Sequence, residues 1–293
     1  MKYGVFSVSI PEYDVEQSVK VLSELGYDGI EWRVNNPPPS QKPDNYSFES
    51  RYWSFCHSTL DINNIERDAV KAKELCDQHG LDLISLTTYL RPHQVHEIEK
   101  VLKTAGRIGC RNIRVFPPDY NETEYYPDLF ARALKELDIL DDMAAKYGVR
   151  INLEIHMGNI IPSASAAYRL VSNFDPRHIG VIYDVGNMVH EGFENYKLGL
   201  ELLGDYIAYI HIKNAVLKKV GTSSADAEVW KPVWAPVKKG YADLEKLIRN
   251  LKEVGYNGYL SIEDFSNESD TYKKLKDNLQ FLKQIDENTG GSL

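Results

Sequence analysis

Four short apolar runs in the second half of the chain each close on residues able to do chemistry. Ile151-Asn-Leu-Glu-Ile-His156 carries Glu154 and His156, and Ile182-Tyr-Asp184 ends on Asp184. Tyr209-Ile-His-Ile-Lys213 carries His211 and Lys213, and Leu260-Ser-Ile-Glu263 ends on Glu263. Side chains alternate faces along an extended strand, so Asn152, Glu154 and His156 share one face while Ile151, Leu153 and Ile155 take the other. The same parity groups Ile182 with Asp184, Tyr209 with His211 and Lys213, and Ser261 with Glu263. Glu154, Asp184, His211 and Glu263 together are three carboxylates and an imidazole, a donor set suited to one divalent metal ion. The competing reading is a buried ion-pair network, for example Glu154 with Arg114 and Glu263 with Lys213. Three carboxylates crowded round one imidazole repel unless a cation lies among them, which favours the metal.

Such residues are far apart in sequence, so the fold must gather them. Apolar strands are expected near Tyr3–Ser9, Gly29–Val34, Leu83–Tyr89, Asn112–Phe116, Arg150–His156, Ile179–Asp184, Ile207–Lys213 and Gly258–Glu263. Between them lie amphipathic helical segments such as Asp14–Leu25, Asp61–His79 and Pro127–Tyr147. Gly26, Gly80, Gly109, Gly148 and Gly255 each sit between a helical segment and the next strand, where glycine supplies the left-handed residue that ends a helix. Repeated αβ units imply a parallel sheet. Eight of them in 293 residues fit an α/β fold, a (β/α)8 TIM barrel in which residues 1–293 form a single domain. The first βα turn lacks G-x-G-x-x-G, against a dinucleotide-binding sheet. In the barrel, strand C-termini converge at the mouth. Glu31 and Arg33 on the second strand share the inward parity, and Arg114 on the fourth does so as well.

Two intervals are long. Residues 35–60 combine Asn35-Asn-Pro-Pro-Pro-Ser40 with Tyr46, Phe48, Tyr52, Trp53 and Phe55. Aromatics favour burial, so this stretch is expected to form a lid over the mouth, with Trp53 as an apolar wall. Residues 214–240, with Trp230 and Trp234, follow the His211 strand and belong to the same face. His190, in the loop after Asp184, is open to either reading, while His57, His79, His93, His96 and His178 read as surface or capping residues.

The chain is 43% hydrophobic and 26% charged, with a net charge of -9 and a pI near 5.4. This is an ordinary globular composition that offers no broad basic face to nucleic acid or anionic lipid. No apolar run reaches the roughly 18 residues of a membrane span, and the N-terminal segment is too interrupted for a signal sequence. Cys56, Cys76 and Cys110 are odd in number without C-x-x-C spacing, which points to free thiols and a cytoplasmic setting.

Leu153-Glu-Ile-His156, Tyr183-Asp-Val-Gly-Asn187, His211-Ile-Lys-Asn214 and Leu260-Ser-Ile-Glu-Asp264, in that order and spacing, resemble the sugar phosphate isomerase/epimerase superfamily of xylose isomerase-like TIM barrels. Gly29-Ile-Glu-Trp32 and Gly240-Tyr-Ala-Asp243 extend the resemblance over essentially the whole chain. It implies one divalent ion, commonly manganese, cobalt, magnesium or zinc (Mn2+, Co2+, Mg2+ or Zn2+), on Glu154, Asp184, His211 and Glu263. It further implies that Glu154 and Glu263 act as the acid/base pair. Asn187 stands where ketose 3-epimerases carry a histidine, and Leu217 where they carry an arginine. Asn187 can still donate to a substrate oxygen, whereas Leu217 cannot. Glu31, Trp53, His156, Asn187 and Lys213 are the expected substrate contacts.

The implied activity is a metal-dependent isomerase or epimerase of a sugar, keto-sugar or polyol, working through a cis-enediolate. A keto-sugar or inosose dehydratase or lyase would use the same intermediate and stays open. An endonuclease IV-like phosphodiesterase would need further histidine ligands and a basic face, and a non-catalytic sugar-binding relative would need no turnover. The expected partner is a small-molecule carbohydrate, with neither nucleic acid nor membrane involved; a homo-oligomer is left open.

Overall fold

The computed structural model describes residues 1–289. Eight parallel strands close on themselves: β1 (Lys2–Phe6), β2 (Gly29–Asn35), β4 (Asp82–Thr88), β5 (Asn112–Val115), β6 (Arg150–Glu154), β7 (Ile179–Asp184), β8 (Ile207–Ile212) and β11 (Tyr259–Ile262). Their order round the barrel is β1-β11-β8-β7-β6-β5-β4-β2, and β2 pairs back onto β1. A short strand, β3 (Thr59–Asp61), adds to the outside of β2 at its C-terminal end. The (β/α)8 barrel expected from the alternating pattern is the fold observed.

The period-two pattern sorts the strands into an apolar outside and a chemical inside. Ile30, Trp32 and Val34 of β2, Ile151 and Leu153 of β6, and Ile210 and Ile212 of β8 join the large core between barrel and helices. Full burial of each such side chain is worth about 1.5–3 kcal/mol. Inside, Ile84, Ile182 and Tyr209 form a small apolar cluster of their own. The inward side chains near the C-terminal ends are the ionisable ones: Glu31, Arg33, Arg114, Glu154, Asp184 and His211 are all buried.

The helices show why they form and stop. Asp14 caps α1 (Val15–Leu25) by accepting from the Gln17 amide, and Gln17 returns the bond in a capping box. Gly26 ends that helix at φ 84°, a conformation that any side chain would strain. The other four junction glycines also take positive φ. In α9 (Leu244–Glu253), capped by Asp243, Leu244, Leu247, Ile248 and Leu251 are buried at helical spacing. The remaining helices are α2 (Arg51–Ser54), α3 (Ile65–Gln78), α4 (Val95–Ile108), α5 (Tyr126–Tyr147), α6 (Ala164–Val171), α7 (Val185–His190), α8 (Tyr196–Leu203) and α10 (Thr271–Thr289). No helix among the described residues is long and apolar enough to cross a membrane.

Three boundaries differ from the sequence reading by more than one residue. The first strand stops at Phe6 rather than Ser9, because Ser7–Ser9 turn into a 3-10 helix. That turn is fastened by reciprocal hydrogen bonds between Ser7 and Ser58, with Ser7 Oγ also accepting from the Arg33 amide. The segment read as helix from Asp61 begins as β3 and a 3-10 turn capped by the Asp61 side chain, and α3 starts only at Ile65. β6 ends at Glu154, so His156 lies in the following loop and leaves the strand's parity. The second insertion is an antiparallel hairpin of β9 (Asn214–Thr222) and β10 (Glu228–Ala235), with a register shift at Val229/Trp230.

Candidate metal centre

Strand register delivers the four ligand candidates to one level. Glu154 and Asp184 are the last residues of β6 and β7, His211 is penultimate in β8, and Glu263 follows β11 directly. Asp184 pairs across to His211, and His211 to Ser261. One donor atom from each of Glu154, Asp184, His211 and Glu263 lies within 4.8 Å of those of the other three, and all four residues are buried.

The imidazole of His211 is oriented from both sides. Its Nδ1 faces Glu154 Oε1 at 3.0 Å, Asp184 Oδ2 at 3.3 Å and Glu263 Oε2 at 3.9 Å. Its Nε2 faces Glu31 Oε2 at 2.9 Å, and the ring stacks on Phe6 at 5.7 Å between centroids. Glu31 was expected among the substrate contacts. Instead, its Oε1 accepts from Thr87 and Tyr209 at 2.6 and 2.8 Å, and its Oε2 from Ser261 at 2.9 Å as well as from His211. Both oxygens are fully used and fully buried beneath the ligand set. Strand parity turns Glu31 inward, and its bonds to Thr87, Tyr209 and Ser261 on neighbouring strands set its depth.

The donor set fits a divalent ion. With Nε2–H given to Glu31, the Nδ1 lone pair points at three carboxylate groups, and an oriented imidazole of this kind is the usual form of a metal ligand. Burial alone would weaken His211 as a base, yet Glu31, Asp184 and Glu154 outweigh it and push its proton affinity well above the ordinary histidine range. Positive charge is therefore strongly favoured at Nδ1, and three oxygens with one nitrogen suit manganese, cobalt, magnesium or zinc.

Two buried cations contact these carboxylates. Arg114 Nη1 lies 2.5 Å from Glu154 Oε2. Lys213 Nζ contacts Glu263 directly and reaches Asp184 Oδ2 at 3.1 Å. Of the ion pairs weighed against a metal site, Arg114 leaves the His211 side of Glu154 free, since Glu154 turns Oε2 to Arg114 and Oε1 to His211, whereas Lys213 meets the same Asp184 Oδ2 and Glu263 Oε2 that face His211. The two glutamates are driven apart in acidity. Burial opposes ionisation of Glu154, but Arg114, His211 and Lys213 overcome it and hold the carboxyl well below its usual range. For Glu263, burial prevails with help from Glu154 and Asp184 over Lys213 and His211, and the carboxyl is pushed up to about 7. Asn187 is completely enclosed. Its Nδ2 donates to Asp184 Oδ2 at 2.8 Å and to Glu154 Oε1 at 3.2 Å, and its Oδ1 accepts from Lys213 at 3.0 Å.

Residues 19–285 match the family described as xylose isomerase-like TIM barrel. The chain belongs to that family. It is 23% identical to an inosose isomerase of Bacillus velezensis over 261 residues, covering 74% of this chain and 88% of the relative. It is 22% identical to an inosose dehydratase of Lacticaseibacillus casei over 265 residues, 86% of this chain and 82% of the relative. Among solved structures, 3-keto-D-glucoside 4-epimerase from E. coli superimposes with a TM-score of 0.70 at 18% identity, over 97% of this chain and 99% of that one. A zinc-bound IOLI protein superimposes with a TM-score of 0.67 at 19% identity, over 99% and 98%. The relatives of this chain are thus sugar-modifying enzymes.

In this xylose isomerase-like barrel the mouth is walled by aromatic side chains. Phe265 adjoins both Trp53 and Trp234, at 5.1 and 5.7 Å between ring centroids. His190 lies against Trp234 at 4.2 Å. These residues line a cleft of about 820 Å³. Lys213 Nζ sits 4.9 Å from the Trp234 ring and 5.2 Å from Phe265, joining the cleft wall to the carboxylates below. The stretch expected to be a lid reaches the cleft through α2. It is anchored by Arg51, which bonds Glu12 and Tyr52, and by Arg33, which donates to the Trp53 carbonyl.

Other expectations fall elsewhere. His156 Nδ1 is engaged with the Met157 carbonyl at 2.7 Å and its ring packs edge-on against Phe116, so the loop, not strand parity, sets its position. Leu217 is half-exposed on β9 opposite Pro232. His190 and Phe265 were not among the expected contacts. Phe265 lies three residues past β11, a position legible in the sequence, whereas His190, six residues past β7, closes α7 rather than lying in the loop expected there.

Proposed function

We propose that the protein is a divalent-metal-dependent isomerase or epimerase acting on a keto-sugar or related polyol, with Glu154 and Glu263 as the acid/base pair. The observation that carries this reading is geometric: one donor atom from each of Glu154, Asp184, His211 and Glu263 lies within 4.8 Å of the others, with the two glutamates brought to that point by different strands, β6 and β11. Such a pair can remove and return a proton at one carbon centre without help from bulk water. When bound, the ion would supply Lewis-acid polarisation of a substrate carbonyl and so acidify the neighbouring C–H.

The side chains of the chain do the rest. Glu154, kept anionic by Arg114, is the base on the β6 side. Glu263, beside Lys213, exchanges a proton from the β11 side. Return to the opposite face of the same carbon gives an epimer, and return to the adjacent carbon an isomer. Trp53, Trp234 and Phe265 offer apolar faces to sugar C–H groups, and Lys213, against the cleft wall, offers a polar one to hydroxyls, while the enclosed Asn187, expected as a substrate contact, instead holds Asp184, Glu154 and Lys213 in place. Dehydration is the second reading. It is supported by the ammonium of Lys213 against Glu263, a second proton donor that could assist loss of a hydroxyl, and by relatives that carry the dehydratase name.

Turnover in heavy water tests the shared step. Solvent deuterium should enter the carbon next to the carbonyl in recovered substrate or product of the manganese-loaded enzyme. A product of unchanged mass, apart from deuterium, marks an isomerase or epimerase; loss of water marks a dehydratase. Turnover with no C–H cleavage would reject the acid/base assignment.

A further inference from the structure

We infer that the β2–β4–β5 side of the mouth is a carboxylate-binding subsite, and that the substrate is a keto-polyol bearing an acid group. This deepens the metal-dependent reading above and rests on it. Arg33 on β2 and Arg114 on β5 both pair in register with Thr87 of β4. Their guanidinium groups flank Tyr89, two residues further along, at 5.3 and 4.7 Å from its ring centroid. Arg33 Nε, Arg114 Nη2 and the Tyr89 hydroxyl are all buried and have no hydrogen-bond partner. Two guanidinium groups therefore flank one phenol ring, and Arg114 joins them to Glu154.

Arg33 makes the case specific. It is buried, and its bonds go to neutral acceptors, Thr59 Oγ1 at 2.5 Å and the Trp53 carbonyl at 3.2 Å. Among the described residues no carboxylate pairs with it. A guanidinium withdrawn from water without a counterion is costly, and a purely structural anchor for the Trp53 segment would not need the charge. Arg114 is half committed: Nη1 serves Glu154 and Nε the Thr88 carbonyl, which leaves Nη2.

Charge balance selects the ligand class. Among the buried ions on the inward face of the barrel strands, the carboxylates Glu31, Glu154, Asp184 and Glu263, when ionised, exceed the cations Arg33, Arg114 and Lys213 by a single charge; Asp264, Arg51 and Lys274 are buried as well and belong to the separate cluster round Tyr52. A divalent ion beside neutral His211 reverses that excess to one positive charge, which a monoanion cancels. A planar carboxylate also matches the fork geometry of guanidinium donors.

The test is calorimetric titration of the manganese-loaded full chain with matched pairs: D-glucuronate against D-glucose, D-galacturonate against D-galactose, and quinate against myo-inositol. Glucose 6-phosphate serves as the phosphate arm, and bound manganese is counted by electron paramagnetic resonance in the same samples. At least one acid should bind tenfold or more tightly than its neutral counterpart. Arg33→Gln should cut that ratio below threefold while manganese affinity stays within twofold. Tyr89→Phe, a milder change, should lower the ratio severalfold and keeps the test available if Arg33→Gln does not fold. Ratios near one in every pair, on protein that binds manganese, overturn the subsite and leave the metal reading standing. A preference that neither variant reduces overturns it as well, and tighter binding of the phosphate ester overturns the carboxylate assignment. Protein that takes up no manganese overturns the metal reading, and the subsite with it.

Discussion

His211 Nε2 and Glu31 Oε2 are 2.9 Å apart in a fully buried pair, while Nδ1 of the same ring faces Glu154, Asp184 and Glu263. Glu31 thereby fixes which nitrogen keeps its proton. Glu31→Gln should weaken manganese binding by about 10- to 100-fold, the usual effect of removing a partner behind a metal ligand. Electron paramagnetic resonance of free manganese during titration measures it. Unchanged affinity would mean that the imidazole is oriented by its other neighbours.

Glu263→Gln separates holding the ion from moving the proton. An amide oxygen can still coordinate, so manganese content should be largely retained. Proton transfer should fall by a factor on the order of 10² to 10⁴. Full activity in this variant would remove Glu263 from the acid/base pair.

Trp53 is half-exposed at the cleft and packs on Phe265 at 5.1 Å. Trp53→Ala should raise KM by roughly two- to tenfold, in line with the ~0.5–1.5 kcal/mol of an aromatic contact. Manganese content should not change. A KM equal to that of the unmodified protein would exclude the ring from the substrate wall.

His190 gives the acid limb of stability a specific origin. Burial, reinforced by the charge of Lys213, lowers its proton affinity from the ordinary 6.5 to about 4. Between those values the unfolded chain binds a proton that the folded chain does not, so unfolding becomes easier as pH falls from 6.5 to 4. Above 6.5 the contribution is intact. Thermal melts should show a shallower fall over this window for His190→Gln than for the unmodified protein. Parallel curves would place the acid sensitivity in other groups.

Much of the fold was written locally. Apolar alternation, helix caps and the five junction glycines act within a few residues of one another, so the barrel and its strands could be read without tertiary information. The inward parity of Glu154, Asp184 and His211 is equally local, because successive side chains of an extended strand must alternate. Strand ends were less legible. β1 stops at Phe6 because Ser58, some fifty positions away, competes for the backbone of Ser7, and no local pattern contains that bond.

What the sequence determined by itself was the α/β alternation and the identity of the four residues that close the apolar strands. The tertiary structure decided depth and partnership. It put Glu31 under the ligand set rather than in the cleft, because parallel register brings Thr87, Tyr209 and Ser261 to both its oxygens. It turned one oxygen of Glu154 toward Arg114 and the other toward His211. It left Arg33 without an acidic neighbour among the described residues. Each of these depends on the distance between strands remote in sequence, and Coulomb energies and hydrogen bonds follow that distance rather than the order of residues along the chain.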